Sequence, residues 1–230
     1  MDSLECNIAN IKTRVKAAAE RSGRDFNDIN IIAVTKNFPV SIIQKAVDQG
    51  IVILGENRVQ EAAAKVENVK GDVQWHLIGH LQKNKVKRAV EMFSMIQSVD
   101  SISLANEINK RADKLKRVVE ILVQINIGRE TTKYGIEPEQ AISFIKDVSL
   151  LSNLKVRGLM TIAPYKENPE EVRVYFRHMR EIYENIKNKS FENIDMTYLS
   201  MGMSNDFEVA IEEGANMIRI GTGIFGARTK

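Results

Sequence analysis

A single cysteine, Cys6, occurs in 230 residues. No internal disulfide can form, and the composition fits a reducing, cytoplasmic setting. Cys6 lies in the first helical stretch and reads as a small helix residue. Histidine is also scarce, at three, which leaves little for a His/Cys metal site. His76 and His80 are four apart, a spacing that joins one face of a helix, but the stretch reads as a strand. No metal ligand is therefore assigned. Ser200 and Ser204 have no histidine near them in sequence, so a Ser-His-Asp triad has no support. No apolar run approaches the roughly 20 residues of a membrane span, and residues 1–16 lack the apolar core of a signal peptide. The formal charge is only +3, which supplies no strong field for nucleic acid or an anionic membrane. The basic run Lys83-Asn84-Lys85-Val86-Lys87-Arg88 falls at a helix start and reads as a solvated face. Linkers, low-complexity tracts and composition shifts are absent as well, so residues 1–230 are expected to form one domain.

What the chain has in plenty is alternation. Ile31-Ile32-Ala33-Val34-Thr35-Lys36 is an apolar, β-branched run that ends in lysine and breaks at Asn37-Phe38-Pro39. Such a run reads as a strand buried on both faces, as in a parallel sheet. An amphipathic helix precedes it, with Leu4, Ile8, Ile11, Val15 and Ala18 at helical spacing. Further strand-like runs fall at 51–55, 73–78, 93–99, 118–127, 156–162, 195–199 and 217–220. Helical stretches at 39–49, 56–66, 81–92, 101–114, 138–151, 169–187 and 206–213 separate them. That makes eight strands, each but the last followed by a helix. Strict alternation predicts a parallel sheet, and eight units in this length predict a closed (β/α)8 TIM barrel with an extra N-terminal helix. An open doubly wound sheet is the alternative.

In such a barrel the C-terminal strand ends share one mouth. The first strand delivers Lys36, the second Glu56 and Asn57, and the third His80. The sixth delivers Met160-Thr161, the seventh Ser200 to Ser204, and the eighth Arg219 and then Gly221-Thr222-Gly223. A lysine at a strand end is partly desolvated, which disfavours its charged form and frees an amine that can attack a carbonyl. The alternative is a side chain that snorkels to water. Ser200-Met201-Gly202-Met203-Ser204-Asn205-Asp206 reads as a Gly/Ser loop ahead of a helix, and Gly221-Thr222-Gly223 as a second small-residue turn. Amides at a helix start, hydroxyls and close-approach glycines together make a phosphate site. Barrels often place a phosphate after strands seven and eight. A reactive lysine with a phosphate cradle predicts a phosphorylated carbonyl compound: pyridoxal phosphate, or a sugar phosphate handled by an aldolase.

Six blocks narrow the choice. They are Ala33-Val34-Thr35-Lys36, Gly55-Glu56-Asn57-Arg58-Val59-Gln60-Glu61, the run from Trp75-His76-Leu77-Ile78-Gly79-His80 to Lys85, Gly158-Leu159-Met160-Thr161, Leu199-Ser200-Met201-Gly202-Met203-Ser204 and Arg219-Ile220-Gly221-Thr222. In order, and across almost the whole chain, they resemble the signature blocks of the pyridoxal phosphate homeostasis protein family, single-domain relatives of the alanine racemase barrel. The resemblance implies that Lys36 carries pyridoxal 5'-phosphate as a Schiff base. It further implies that Ser204, Gly221 and Thr222 hold the phosphate with Ser200 close by, that Arg219 faces the pyridine nitrogen, and that Asn57 lines the pocket. The segment 126–135, with Gly128-Arg129-Glu130-Thr131-Thr132-Lys133-Tyr134, is bulkier and more charged than the resemblance implies.

An arginine at the ring nitrogen bears on activity. Pyridoxal phosphate is the better electron sink when that nitrogen is protonated, and a guanidinium cannot accept the proton. Racemisation also needs a base on each face of the ring. Lys36 can be one; Tyr134 and Tyr165 are conceivable seconds, although loop tyrosines usually serve packing or surface. The sequence stops after its eighth strand, without the second domain of alanine racemases. The expectation is therefore a monomeric protein that buffers or delivers the cofactor to transient apo-enzyme partners, with no catalytic residue assigned. A slow amino-acid racemase is the alternative.

Overall fold

The computed structural model describes residues 3–189 and 191–226. Among them eight parallel strands form a closed barrel in chain order. They are β1 (Asn30–Val34), β2 (Ile53–Glu56), β3 (Gln74–Leu77), β4 (Met95–Val99), β5 (Val119–Ile125), β6 (Leu154–Thr161), β7 (Ile194–Met203) and β8 (Met217–Ile220). β8 pairs back onto β1, which excludes the open sheet. Helix α1 (Ser3–Arg21) precedes the barrel. After β1 to β7 come α2 (Val40–Asp48), α3 (Val59–Ala63), α4 (Val86–Met92), α5 (Ile102–Lys114), α6 (Ala141–Ser149), α7 (Arg173–Lys187) and α8 (Phe207–Glu212).

Period-2 patterning sorts the strand residues into two cores. Ile32, Ile53, Met95, Leu122, Met160 and Met217 form one buried cluster inside the barrel. Their neighbours one position on, including Ala33, Leu54, Ile96, Val123 and Ile218, join the larger layer between strands and helices. Both faces of each strand are thus apolar, which is why the runs show no polar alternation.

Three elements depart from the sequence reading. β1 ends at Val34, so Lys36 stands in the turn beyond the strand rather than at its last position. β7 continues to Met203, so Ser200 to Met203 are strand and not loop. Partners on both sides cause this: Ser200 pairs with Met160 of β6 and Met217 of β8, and Met203 pairs with Arg219. A short α9 (Thr222–Phe225) follows β8, where only a turn is predicted, and it packs against α1.

Gly158 marks the one point where β6 shifts register against both neighbours. Its φ is +148°, and a Cβ there would overlap the Tyr198 carbonyl oxygen. Backbone on one side and a glycine-favouring dihedral on the other leave no room for relaxation. Gly158→Ala is expected to destabilise the fold by roughly 3 kcal/mol or more. An unchanged midpoint in urea unfolding would contradict this account of the bulge.

Candidate functional site

The C-terminal ends of the strands open into a cavity of about 480 Å³. Lys36, Asn57, Ser204, Arg219, Gly221 and Thr222 all line it, six of the seven residues singled out from sequence. Val34, Phe38, Ile78 and Ile162 supply apolar wall, and Tyr134 and Tyr165 stand at the rim. Among the described residues the lining contains no Asp or Glu. A cavity with a lysine and an arginine but no carboxylate favours an anionic occupant.

Lys36 enters from a tight turn. The Phe38 N–H donates to the Thr35 carbonyl at 3.1 Å, and Asn37 adopts φ +66°. Asparagine is among the few residues that tolerate this left-handed conformation. Lys36 itself is half-buried. Phe38 stacks on Phe225 with ring centroids 4.6 Å apart, which ties the lysine turn to α9.

Across the β8–β1 seam, Ser204 Oγ accepts N–H donations from Gly221 and Gly223, each at 3.3 Å. Both bonds are long for N–H···O, so the two amides are only weakly committed to the hydroxyl. A phosphate oxygen in their place would be a stronger, charged acceptor. Ser204 does not cap α8. The residue at that N-cap is Asp206, whose Oδ1 accepts from the Met203 N–H at 2.6 Å. The donor set therefore fits a phosphate group, and Ser204 belongs to it.

Ser200 does not line the cavity. It is fully buried beneath it and holds Arg219. Arg219 Nη1 donates to Ser200 Oγ at 2.7 Å, and Nη2 donates to the Thr161 carbonyl at 2.6 Å. The Ser200 hydroxyl donates to Gln97 Oε1 at 2.8 Å, and Gln97 Nε2 faces His76 Nδ1 at 2.9 Å. With the guanidinium able only to donate, each later member of the chain has its direction set. His76 Nδ1 must accept, so the ring proton lies on Nε2, a buried nitrogen without a hydrogen-bond partner. Burial pulls the Arg219 pKa down to about 10, partly offset by Asp206, so the side chain stays cationic at neutral pH. Burial lowers His76 to about 4.

The divergent segment after β5 does contribute to the cavity. Asn126 Nδ2 donates to the Glu130 carbonyl at 3.1 Å and Gln124 Nε2 to the Tyr134 carbonyl at 2.9 Å, which folds the loop back over the mouth. Tyr134 then stacks on His80, with centroids 3.7 Å apart and planes 10° from parallel. His80 Nδ1 lies 3.3 Å from Asp100 Oδ2. Among the described residues no group of His, Cys, Asp and Glu could hold a metal ion. Sequence reasoning passed over Phe38, Ile78 and Ile162. Their signal was position alone, just past the ends of three strands, where an apolar residue looks like more core.

Residues 6–229 match the family described as alanine racemase, N-terminal domain. A pyridoxal phosphate homeostasis protein of Aquifex aeolicus is 45% identical over 222 residues, which is 96% of each chain. This chain belongs to the pyridoxal phosphate homeostasis protein family. The structure of PipY from Synechococcus elongatus with PLP bound aligns with a TM-score of 0.81 at 37% identity, covering 94% of this chain and 100% of that one. An alanine racemase of Clostridium difficile, 18% identical with a TM-score of 0.75 over 100% of this chain and 58% of that one, shares the fold.

His76 makes the buried relay pH-sensitive. Its folded pKa lies below the unfolded value, so the unfolded chain takes up a proton that the folded chain refuses. Its contribution is complete above about 6.5 and is lost as the pH falls toward about 4. Across that window the stability gap between wild type and His76→Asn should move by roughly 3 kcal/mol in the variant's favour. Denaturant unfolding at several pH values measures it, and a pH-invariant gap would refute the assignment of a buried neutral imidazole.

Proposed function

We propose that this family member binds pyridoxal 5'-phosphate, holds it as a Schiff base on Lys36, and buffers or delivers it inside the cell without catalytic turnover. One observation carries the reading. A half-buried lysine, Ser204, Gly221 and Thr222 line one cavity of about 480 Å³ without a carboxylate among its described lining residues, and the Gly221 and Gly223 amides point at the Ser204 hydroxyl. That is the complement of a small molecule with an aldehyde at one end and a phosphate at the other. The relative from Synechococcus elongatus, solved with PLP bound, supports the same ligand.

The bound cofactor would supply an electrophilic aldehyde on an electron-withdrawing ring. Lys36 would be the residue that holds the group by its aldehyde, through the side-chain amine. Ser204, Gly221 and Thr222 hold the phosphate, and Asn57 lines the ring's edge of the pocket. Arg219 would face the ring nitrogen, and a guanidinium there would leave that nitrogen unprotonated, which would weaken carbanion stabilisation and disfavour turnover. Ser200 acts on the cofactor only through Arg219. Tyr134 and Tyr165, 55% and 78% exposed, leave the mouth open to solvent, which suits release to apo-enzymes in transient encounters. A single barrel, acting as a monomer in the cytoplasm, suffices for this role.

A slow racemase is the second reading, favoured by Tyr134, a phenol that lines the same cavity as Lys36.

Two measurements test these readings. Purified protein given pyridoxal phosphate should show a visible absorbance band that borohydride abolishes and that Lys36→Ala lacks. Ser204→Ala should keep the band but weaken binding about tenfold, the worth of one hydrogen bond to a charged group. A colourless wild-type protein would overturn the binding site. Incubation with single-enantiomer amino acids should give no inversion above the Lys36→Ala background; lysine-dependent inversion would favour the racemase instead.

A further inference from the structure

Behind the lysine turn, on the helix side of the sheet, lies a buried charge cluster that the cofactor cavity does not include. Lys65 is 6% exposed, and lysines are almost never that buried unless paired. Its Nζ donates to Glu56 Oε1 at 2.6 Å, to Glu61 Oε1 at 2.7 Å and to the Thr35 carbonyl at 2.8 Å, which uses all three ammonium donors. Thr35 Oγ1 adds a bond to the same Glu56 oxygen at 2.6 Å. Glu61 Oε1 also accepts the backbone N–H of Asn37. Burial pushes the Glu61 carboxyl up, but the bonds from Lys65 and the Asn37 N–H outweigh it and hold the group below its usual range.

The two backbone contacts are the informative ones. The Thr35 carbonyl belongs to the peptide unit before Lys36, and the Asn37 N–H to the unit after it. Fixing both planes fixes φ and ψ of Lys36, and with them the direction of its Cα–Cβ bond. Asn37 needs this support, since its left-handed φ is otherwise unfavourable. The cluster is a poor device for stability alone. Two carboxylates share one lysine, and the second Glu56 oxygen is buried without a partner. Desolvation of such groups commonly cancels their attraction.

We propose that Lys65 is a positioning residue for Lys36: through Thr35 and Glu61 it clamps the turn on both sides of the reactive lysine, so that the amine meets the aldehyde carbon in line for attack. The inference rests on the Schiff-base reading above. Preorganisation of this kind acts on the rate of bond formation more than on recognition of the ring and phosphate, because displacement of about 1 Å can cost up to roughly 100-fold in rate.

The test pairs two ligands. Stopped-flow absorbance follows Schiff-base formation with pyridoxal phosphate. Equilibrium binding of pyridoxine 5'-phosphate, which has the ring and phosphate but no aldehyde, reports the cavity without the covalent step. Lys65→Met and the charge-neutral double variant Lys65→Met/Glu56→Gln should form the Schiff base roughly 10- to 100-fold more slowly, with pyridoxine phosphate affinity unchanged. Glu61→Ala, at a half-buried position, removes the acceptor for the Asn37 N–H with little risk to folding and should slow the reaction in the same sense. Wild-type rates in Glu61→Ala and in a folded Lys65 variant would overturn the proposal. So would a parallel loss of pyridoxine phosphate binding, which would mark the cluster as general packing. A wild-type protein without the visible band would instead bring down the Schiff-base reading and this inference with it.

Discussion

The hydrogen-bonded seam between β8 and β1 is the constraint on which the site depends. Ala33 pairs with Ile220, so the next residues, Val34 and Gly221, lie opposite one another. A Cβ on Gly221 would sit 3.6 Å from that of Val34. Two steps past Val34 is Lys36, and Ser204 follows β7 one residue beyond the Met203–Arg219 pair. Residues from positions 36, 204 and 221 of the chain are thereby brought to one mouth by strand register alone. Were the sheet open, the first and last strands would stand at opposite edges and the lysine would face no donor set.

Polar groups inside the barrel are arranged around the same opening. The lower interior is apolar, from Ile32 to Met217, and the layer above it is polar, from His76 through Gln97 and Ser200 to Arg219. Burying a guanidinium is costly unless its donors are satisfied. The Thr161 carbonyl and Ser200 take two of them from below, which leaves the side chain rigid and facing the cavity. The arginine is then a fixed positive wall rather than a mobile counter-ion. Outside the sheet, the Lys65 cluster does the equivalent for the lysine turn. The Lys36 turn is thus held between an ordered interior and an ordered exterior.

Much of this was legible in the chain. Eight apolar runs alternating with helical periodicity led to the barrel, because period and burial are local properties. Lys36, Asn57, Arg219 and the Gly221-Thr222 turn could be placed at the mouth because each stands at a strand end. Ser200 could not be separated from Ser204 in the same way. Their division depends on β7 running on to Met203, and that extension is set by partners on β6 and β8. Tyr134 could be named only as a conceivable base, since its place at the mouth depends on the Asn126 and Gln124 side chains folding the loop back. Lys65 left least trace of all. It sits 29 positions from Lys36 in a stretch that looks like an ordinary charged helix face, and its contacts arise only when the turn after α3 docks behind β2 and the lysine turn.

The most direct measurement is the site of attachment. Protein loaded with pyridoxal phosphate is reduced with borohydride, digested, and mapped by mass spectrometry. The account predicts the added mass on the peptide that contains Lys36. Added mass only on other lysines, such as Lys83 or Lys85, or on none, would contradict it.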